Sequence, residues 1–380
     1  MRMKKIMILA AIAAAAISCS KTFEVNEAIG ESPIGFNTWN DVLTKARTNG
    51  TGTSSFANNE MFGVYGTKLV SATPYEVFNG AAIKATVSES VSWNYNDPSD
   101  IKYWDPAATS YTFYAALPSS MVTAYNSLTA DQKTDIGGAY SANGKFYGSF
   151  TFNDPTAITN DVMIASEKTV TSGSFKQEVQ LAFNHIASCV SLVAKKDAAL
   201  SGATVKVTGV KFKNVKKSGN FHVTAYSTTP SVTWSNQSGF IETEASSQIY
   251  NVNIGGDKTI TAYSTYQEGH GVDATTGDPN AIFGGLVFLP QTFTDGTEQM
   301  LISYTIKVGD EPANVYTDVP VDLYDFMSSD SNNNSAGSNV SSWDFGKHYT
   351  YTITIGANAI QFSASVNAWT ASSAYYYLVD

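Results

Sequence analysis

The sequence predicts an all-β fold built from antiparallel β-sandwiches. From Ile34 to the C-terminus, short runs rich in Val, Ile, Thr, Tyr and Phe alternate with clusters of Gly, Asn, Asp, Ser and Pro, the pattern of strands and turns. Within these runs apolar residues recur at every second position, so one face of each strand can be buried. Helical signals are few: residues 119–128 form one possible helix, and residues 184–195 fit a helix or a strand equally well.

The first eighteen residues have the composition of an export signal. Arg2, Lys4 and Lys5 precede an apolar run from Ile6 to Ile17. A helix of that length reaches about 18 Å, which is shorter than the roughly 30 Å hydrocarbon core of a bilayer. We therefore expect residues 1–18 to be a cleaved signal peptide and not a permanent membrane span.

A lipid attachment site is predicted at the end of this signal. The segment Ala16-Ile17-Ser18-Cys19 resembles a bacterial lipobox, in which the cysteine is acylated and becomes the new N-terminus. Acyl chains on Cys19 would hold the protein at a membrane without a spanning segment. The alternative is an ordinary signal peptide followed by a chance cysteine. The remaining cysteine, Cys189, has no partner for a disulfide framework, so the fold must rely on packed cores.

Length and charge limit the organisation and the partners. A chain of 380 residues exceeds what one core usually holds, which favours two domains. We place them at residues 48–172 and 173–380, because the stretch 166–176 is polar, and we expect long exposed loops at 267–279 and 328–342. Loss of three basic residues with the signal changes the formal charge from −10 to −13, which disfavours nucleic acid or an anionic membrane surface as partner.

No recognisable motif indicates catalysis, a cofactor or a metal. The four histidines lack ligand spacing, and the chain has neither an HExxH motif nor a GxSxG motif. We predict no enzyme activity, no cofactor and no metal site. Five aspartates lie near aromatic residues and are interpreted as loop or turn residues, although a carboxylate pair of a hydrolase cannot be identified from sequence: Asp105, Asp154, Asp161, Asp322 and Asp344.

Several segments spread over the chain resemble the fimbrillin family, the fimbrial subunits of Gram-negative anaerobes. The matching segments, in chain order, are PIGF at 33–36, Arg47, SWNY at 92–95, YWDP at 103–106, YTFYAALP at 111–118, DVMIA at 161–165, VQLAFNH at 179–185, LPQ at 289–291 and the stretch from Tyr349 to Trp369. The resemblance implies two transthyretin-like Greek-key β-sandwich domains, export as a lipoprotein and assembly on the outer surface of the cell.

The resemblance also gives a role to the N-terminal segment 19–47. In such fimbriae an N-terminal strand fills a groove until a protease cuts after a basic residue, and a strand from a neighbouring subunit then replaces it. The aromatic C-terminal stretch 373–380 is the candidate donor strand, and a final edge strand is the alternative. Ile34 and Phe36 have the period-two spacing needed to fill such a groove. Arg47 is the one arginine after the signal, in a polar and glycine-rich context, and is the candidate processing site. Lys45 is an alternative cut, and Arg47 is equally compatible with an ordinary loop residue.

Two alternatives to a fimbrial subunit remain open. One is a non-polymerising surface lipoprotein that binds glycans by stacking sugar rings on tryptophan, although tryptophans beside strand-like runs usually belong to a core. The six tryptophans are Trp39, Trp93, Trp104, Trp234, Trp343 and Trp369. The other is a surface hydrolase with two unmarked carboxylates. For a fimbrial subunit the partners are other subunits and host or bacterial surface ligands.

Overall fold

The computed structural model describes ten ranges of the chain. They are residues 32–38, 58–87, 91–121, 147–156, 161–226, 230–261, 280–325, 327–328, 340–357 and 360–368. Cys19 and Arg47 lie outside these ranges. So do Trp39, Trp369, most of the possible helix at 119–128 and nearly all of the two predicted long loops.

The first half of the chain contributes ten strands. They are β1 (Phe36–Thr38), β2 (Met61–Val70), β3 (Thr73–Val87), β4 (Val91–Tyr95), β5 (Ser110–Leu117), β6 (Tyr147–Thr151), β7 (Met163–Ala165), β8 (Lys168–Thr171), β9 (Val179–Leu181) and β10 (Phe183–His185). One large sheet has the order β10-β7-β5-β2-β3-β4, with β8 also paired to β5, while β1 pairs with β9 in a separate small sheet.

The second half contributes fourteen strands. They are β11 (Ser188–Lys196), β12 (Ala203–Lys213), β13 (Lys216–Tyr226), β14 (Pro230–Phe240), β15 (Ile249–Val252), β16 (Lys258–Ile260), β17 (Ala281–Phe288), β18 (Gln291–Thr292), β19 (Gln299–Val308), β20 (Asn314–Asp322), β21 (Met327–Ser328), β22 (Ser342–Trp343), β23 (Lys347–Ile355) and β24 (Ile360–Ala368). Two sheets, β17-β11-β23-β24-β21 and β15-β12-β19-β20, share one hydrophobic core, while β14-β13-β6 forms a third sheet.

The predicted all-β fold is confirmed, and the transthyretin-like detail stays a prediction. Most strand pairings are antiparallel, as predicted, while β1 with β9, β11 with β23 and β21 with β24 run parallel. The ambiguous stretch 184–195 forms β10 and most of β11. Its pattern was ambiguous because β11 is buried on both faces, so its apolar residues do not alternate with polar ones.

Strand β12 shows how closely the burial follows the sequence. Val205 and Val207 point into the core at odd positions, whereas Val210 and Phe212 do so at even positions. An irregularity in the pairing with β19 lies between Val207 and Gly209, and this extra residue shifts the alternation by one. The bulge thereby keeps the apolar side chains on one face along the whole strand.

Three hydrophobic clusters occupy the described residues. The largest belongs to the second half of the chain and also takes in Phe152. The second lies in the first half and extends as far as Phe183. The third joins Tyr65 and Tyr114 of the large sheet to Phe221 and nearby residues of β13 and β14. Strands β9 and β10 come after residue 172 but pair with β1 and β7. The pairing therefore extends the N-terminal unit past the predicted boundary, and the domain division itself stays a prediction.

Buried tyrosines give the fold a predictable response to alkaline pH. The pKa of Tyr65 is raised to about 12, mainly by burial and to a smaller extent by the nearby Glu76 carboxylate. Burial also raises the pKa of Tyr114, Tyr349 and Tyr351, for Tyr114 with a contribution from its hydrogen bond to Glu167. The folded state therefore holds these protons more tightly than the unfolded chain does.

We expect the free energy of unfolding to be unaffected by these groups below pH 10 and to fall as the pH rises from 10 towards 12. In that window the unfolded tyrosines lose protons that the folded ones retain, so hydroxide favours the unfolded state. Urea unfolding at pH 8, 10 and 11 measures the effect, and a sample returned from pH 11 to pH 8 checks reversibility. A constant urea midpoint up to pH 11 would contradict the prediction.

Candidate strand-docking site

The segment 32–38 lies within the N-terminal core as an inserted extended strand. Its side chains alternate: Ile34 and Phe36 are 0% and 3% exposed, Thr38 is also buried, and Pro33 is exposed. This is the period-two pattern that predicted a groove-filling strand at Ile34 and Phe36. The structure therefore places both predicted residues in one apolar slot.

Backbone partners flank this segment on two sides. The Ile34 N–H donates to the Lys102 carbonyl at 2.8 Å, and the Trp104 N–H donates to the Ser32 carbonyl at 3.2 Å. On the other side β1 pairs with β9 in parallel, and the Val179 N–H donates to the Gly35 carbonyl at 2.8 Å. The segment thus bridges residues 102–104 and β9, and its removal would leave backbone groups on both sides without these partners.

Aromatic rings surround Phe36 inside the slot. The ring of Phe36 meets the rings of Phe78 and Phe113 edge to face, at centroid separations of 5.4 and 5.5 Å, and lies 6.3 Å from the ring of Tyr95. Such edge-to-face contacts add about 0.5–1.5 kcal/mol each beyond the burial of apolar area. Phe36 is therefore the main apolar anchor of the segment.

Two polar side chains of β4 also hold the segment. The Tyr95 hydroxyl donates to the Ile34 carbonyl at 2.6 Å, and the Trp93 indole N–H donates to the Thr38 hydroxyl at 3.3 Å. Burial raises the pKa of Tyr95, so the phenol stays protonated and remains a donor at neutral pH. These bonds fix the position of the segment along the slot.

Residues 102–104, which form one wall of the slot, are held by packing behind them. The indole of Trp104 stacks on the ring of Phe175 at 4.8 Å and meets the ring of Tyr111 edge to face at 4.9 Å. The Tyr111 hydroxyl accepts a hydrogen bond from the Asp105 N–H at 2.7 Å. The Lys68 ammonium donates to the Asp105 carboxylate at 2.6 Å and lowers its pKa. Contacts to residues outside segment 32–38 therefore help to hold this wall in place.

The sequence pointed to the strand but missed most of the slot. Trp93, Tyr95, Trp104 and Phe175 were not assigned to it. The motif SWNY at 92–95 does indicate part of the slot, because its alternating aromatic residues predict a strand with one aromatic face. Nothing local indicated that this face would cover a segment some sixty residues earlier.

The described residues include side chains of the kinds that take part in catalysis or bind a metal ion: a buried Asp–His pair, a cysteine and a group of carboxylates. The Asp161 carboxylate and the His185 imidazole lie 2.7 Å apart with fully buried side chains. Cys189 is fully buried, and burial raises the pKa of its thiol well above the usual value, so the reactive thiolate is disfavoured. Among the described residues, one group of three carboxylates could hold a cation, formed by Asp295, Asp322 and Asp325, and exposed acidic groups of this kind are common without an ion.

The tryptophans do not form a sugar-stacking platform in the described ranges. Trp104 and Trp343 are each 1% exposed, and Trp93 and Trp234 are partly buried against hydrophobic clusters. The prediction that tryptophans beside strands belong to the core holds for these four. No helix among the residues that the structure describes is long and apolar enough to cross a membrane.

Comparison with solved structures finds similar chains at low sequence identity. The chain is similar to a fimbrial protein from Bacteroides vulgatus, at 17% identity and a TM-score of 0.47, over 89% of this chain and 100% of the other. It is also similar to a candidate cell adhesion protein from Bacteroides uniformis, at 17% identity and a TM-score of 0.43, over 87% and 98%. The tip fimbrial protein Mfa3 from Porphyromonas gingivalis, with a C-terminal truncation, shows 8% identity and a TM-score of 0.34, over 86% and 98%.

The family assignment comes from a comparison with protein-family profiles. No curated protein matches the chain. The profile described as Fimbrillin-like matches residues 44–369, which is most of the chain and begins just before Arg47. The chain belongs to the fimbrillin-like family.

Proposed function

We propose that this protein is a structural or adhesive subunit of a cell-surface fimbrium, exported as a lipoprotein and assembled by exchange of its N-terminal strand. Family membership supports a fimbrial or adhesive role at the cell surface and a structural function without catalysis. The observation that carries the strand exchange is the insertion of residues 32–38 into the N-terminal core, with Ile34 and Phe36 buried.

The way segment 32–38 is held suits a strand that is retained first and replaced later. Burial of an Ile or Phe side chain stabilises by about 1.5–3 kcal/mol each, and the backbone bonds add to this. These contacts do not depend on the chain beyond Thr38, so a cut there would leave the segment in place. Because all of them are non-covalent, another strand could then displace it. A strand from a second subunit with apolar residues at alternate positions would satisfy the same backbone groups and fill the same slot.

Arg47 is the proposed processing site. It follows Thr38 by nine residues in the sequence, in the context LTKARTNGTG, which contains few apolar residues. Protease cleavage requires an exposed and extended backbone, and polar, glycine-rich stretches provide it. Processing there would separate segment 32–38 from the rest of the chain, whose next described strand begins at Met61.

Cys19 is the proposed lipid anchor, which would hold the protein at the outer membrane. Twelve residues separate Cys19 from Ser32, the first described residue. Fully extended, twelve residues span at most about 40 Å. Under this proposal the acylated end is joined to segment 32–38, so cleavage at Arg47 cuts the covalent link between the lipid and the body of the subunit.

Proteolysis tests the assembly model directly. We expect an arginine-specific protease to cut the signal-free chain once, after Arg47, and the cut subunits to form chain-like oligomers visible by negative-stain microscopy. Intact mass and N-terminal sequencing identify the cut, and the Arg47→Ala variant is the uncut control. A clean cut that leaves monomers would contradict polymerisation, and an Arg47→Ala protein that still matures in its native host would contradict this processing site.

Substitution of the aromatic anchor tests the slot. We expect Phe36→Ala to reduce the free energy of unfolding of the N-terminal unit by about 3–5 kcal/mol, because it removes a buried ring among Phe78, Phe113 and Tyr95. Asn37→Ala is the matched control, since the neighbouring side chain is partly exposed and loses two hydrogen bonds but no ring contacts. These are its bond to the Glu178 carboxylate and the one it accepts from the Thr38 N–H. Urea unfolding measures both variants. Equal stability of the two variants would show that segment 32–38 does not anchor this core.

The lipid anchor has its own test. We expect the Cys19→Ala variant, expressed in a Gram-negative anaerobe, to lack the mass of the acyl chains and to move from the detergent phase to the aqueous phase on Triton X-114 partition. The wild-type chain from the same host is the control. An intact mass of wild-type protein without an acyl increment would refute lipidation.

A further inference from the structure

A cleft of about 460 Å³ is lined by three residues of the stretch 153–156 together with residues of the second half of the chain, and no residue of segment 32–38 lines it. It lies where two sheets end side by side: β15 is at the edge of one sheet and β17 at the edge of the other. Tyr250 and Asn251 of β15 line one side and Phe283 of β17 lines the other, with Asp154 and Glu242 nearby. Its volume falls within the range of small-ligand sites, roughly 300–1,000 Å³.

The lining of the cleft combines apolar and polar side chains, and its charged groups are all acidic. Two carboxylates, Asp154 and Glu242, lie among amides and hydroxyls, and the described residues of the lining include no Lys, Arg or His. An anionic ligand such as a phosphate or an acidic sugar would therefore meet like charge without a basic partner. The three-carboxylate group that could hold a cation lies elsewhere in the described residues, at Asp295, Asp322 and Asp325.

Three amides in the lining, those of Asn153, Asn251 and Asn253, are exposed towards solvent. The Asn253 oxygen already accepts a hydrogen bond from the Gly255 N–H at 3.0 Å, which leaves Asn153 and Asn251 as the candidate ligand contacts. An amide side chain offers donors and acceptors together, whereas an ammonium group offers donors alone. A hydroxyl both donates and accepts, so a ligand with several hydroxyls can bond to amide N–H groups and to carboxylates at the same time. A lysine side chain would satisfy the carboxylates and leave the amide donors without an acceptor.

The cleft also offers a planar apolar surface. Tyr250 is half-buried, and its hydroxyl donates to the Asp154 carboxylate at 3.2 Å, which fixes one end of the ring. The same Asp154 oxygen accepts from the backbone N–H and the hydroxyl of Thr156, at 2.9 and 2.7 Å. Asp154 is thus held in place, and an ordered ring beside hydrogen-bonding groups suits the C–H face of a sugar.

We propose that this cleft binds a neutral saccharide, with Asn153, Asn251 and Glu242 bonding to its hydroxyls and Tyr250 packing against its ring. The inference supplies a ligand class for the adhesive role proposed above and rests on that role for its biological meaning. Binding to a purified saccharide does not require processing or polymerisation, so failure here leaves the strand-exchange proposal standing, and the reverse also holds.

Saturation-transfer NMR on the signal-free chain tests the site. The probes are five neutral sugars: the methyl glycosides of mannose, galactose, glucose and fucose, and N-acetylglucosamine. We expect at least one to bind. Asn153→Ala and Asn251→Ala should each weaken that sugar's binding by about twofold to tenfold, the effect of one lost neutral hydrogen bond, and the double variant by more than either alone. Asn314→Ala, an exposed asparagine on the edge strand β20, is the matched control and should leave affinity unchanged.

Three results would overturn the proposal. The first is the absence of a signal for all five sugars. The second is a sugar whose affinity is the same for the wild type and for the Asn153→Ala/Asn251→Ala double variant, which would place binding elsewhere. The third is preferential binding of N-acetyl-lysine methylamide, with its free ammonium group, over every sugar, which would assign the cleft to a basic peptide. Thermal unfolding of each variant confirms that the comparison is between folded proteins.

Discussion

The N-terminal unit depends on one constraint, which is that part of its core comes from a segment near the start of the chain. Ile34 and Phe36 occupy a slot whose walls are residues 102–104 and β9, and each wall bonds to the segment through its backbone. A core of this construction cannot be complete without some strand in that place, because both an apolar cavity and unpaired backbone groups would remain. This requirement is what makes exchange between subunits physically reasonable.

The sequence predicted the strand itself better than its surroundings. Alternation of Ile34 and Phe36 around Gly35 is a local pattern, and a local pattern can be recognised in the sequence before the fold is known. The parallel pairing of β1 with β9 joins residues about 140 positions apart, and no local feature specifies it. The slot residues Tyr95 and Trp104 belong to motifs that resemble the family. Their contacts with segment 32–38, however, depend on how the strands are arranged in the fold and not on those motifs.

Two other features of the fold were not specified by local sequence patterns, and the physical reason is similar for both. Residues 184–195 looked ambiguous because a strand buried on both faces loses its alternation, and β11 is such a strand. The predicted division at residue 172 followed a polar stretch, whereas backbone pairing continues through β10, where Phe183 still packs in the N-terminal cluster. A polar stretch indicates that the chain is exposed to solvent there, but an exposed stretch does not have to lie between two hydrophobic cores. The third cluster, which joins Tyr114 to Phe221, likewise depends on contacts that no local pattern reveals.

The slot and the cleft require different sequence features. This explains why the strand that fills the slot could be predicted from the sequence, whereas the cleft could not. The slot needs apolar residues at fixed alternate positions, a periodic signal. The cleft needs a few polar side chains from three separated stretches, Asn153, Glu242 and Asn251, each of which alone is an ordinary loop or edge residue. Since the two sites share no residues, the lining of the cleft could change to accept a different ligand while the slot stays the same. Under the proposed function, ligand specificity and strand uptake would therefore be separable in this chain.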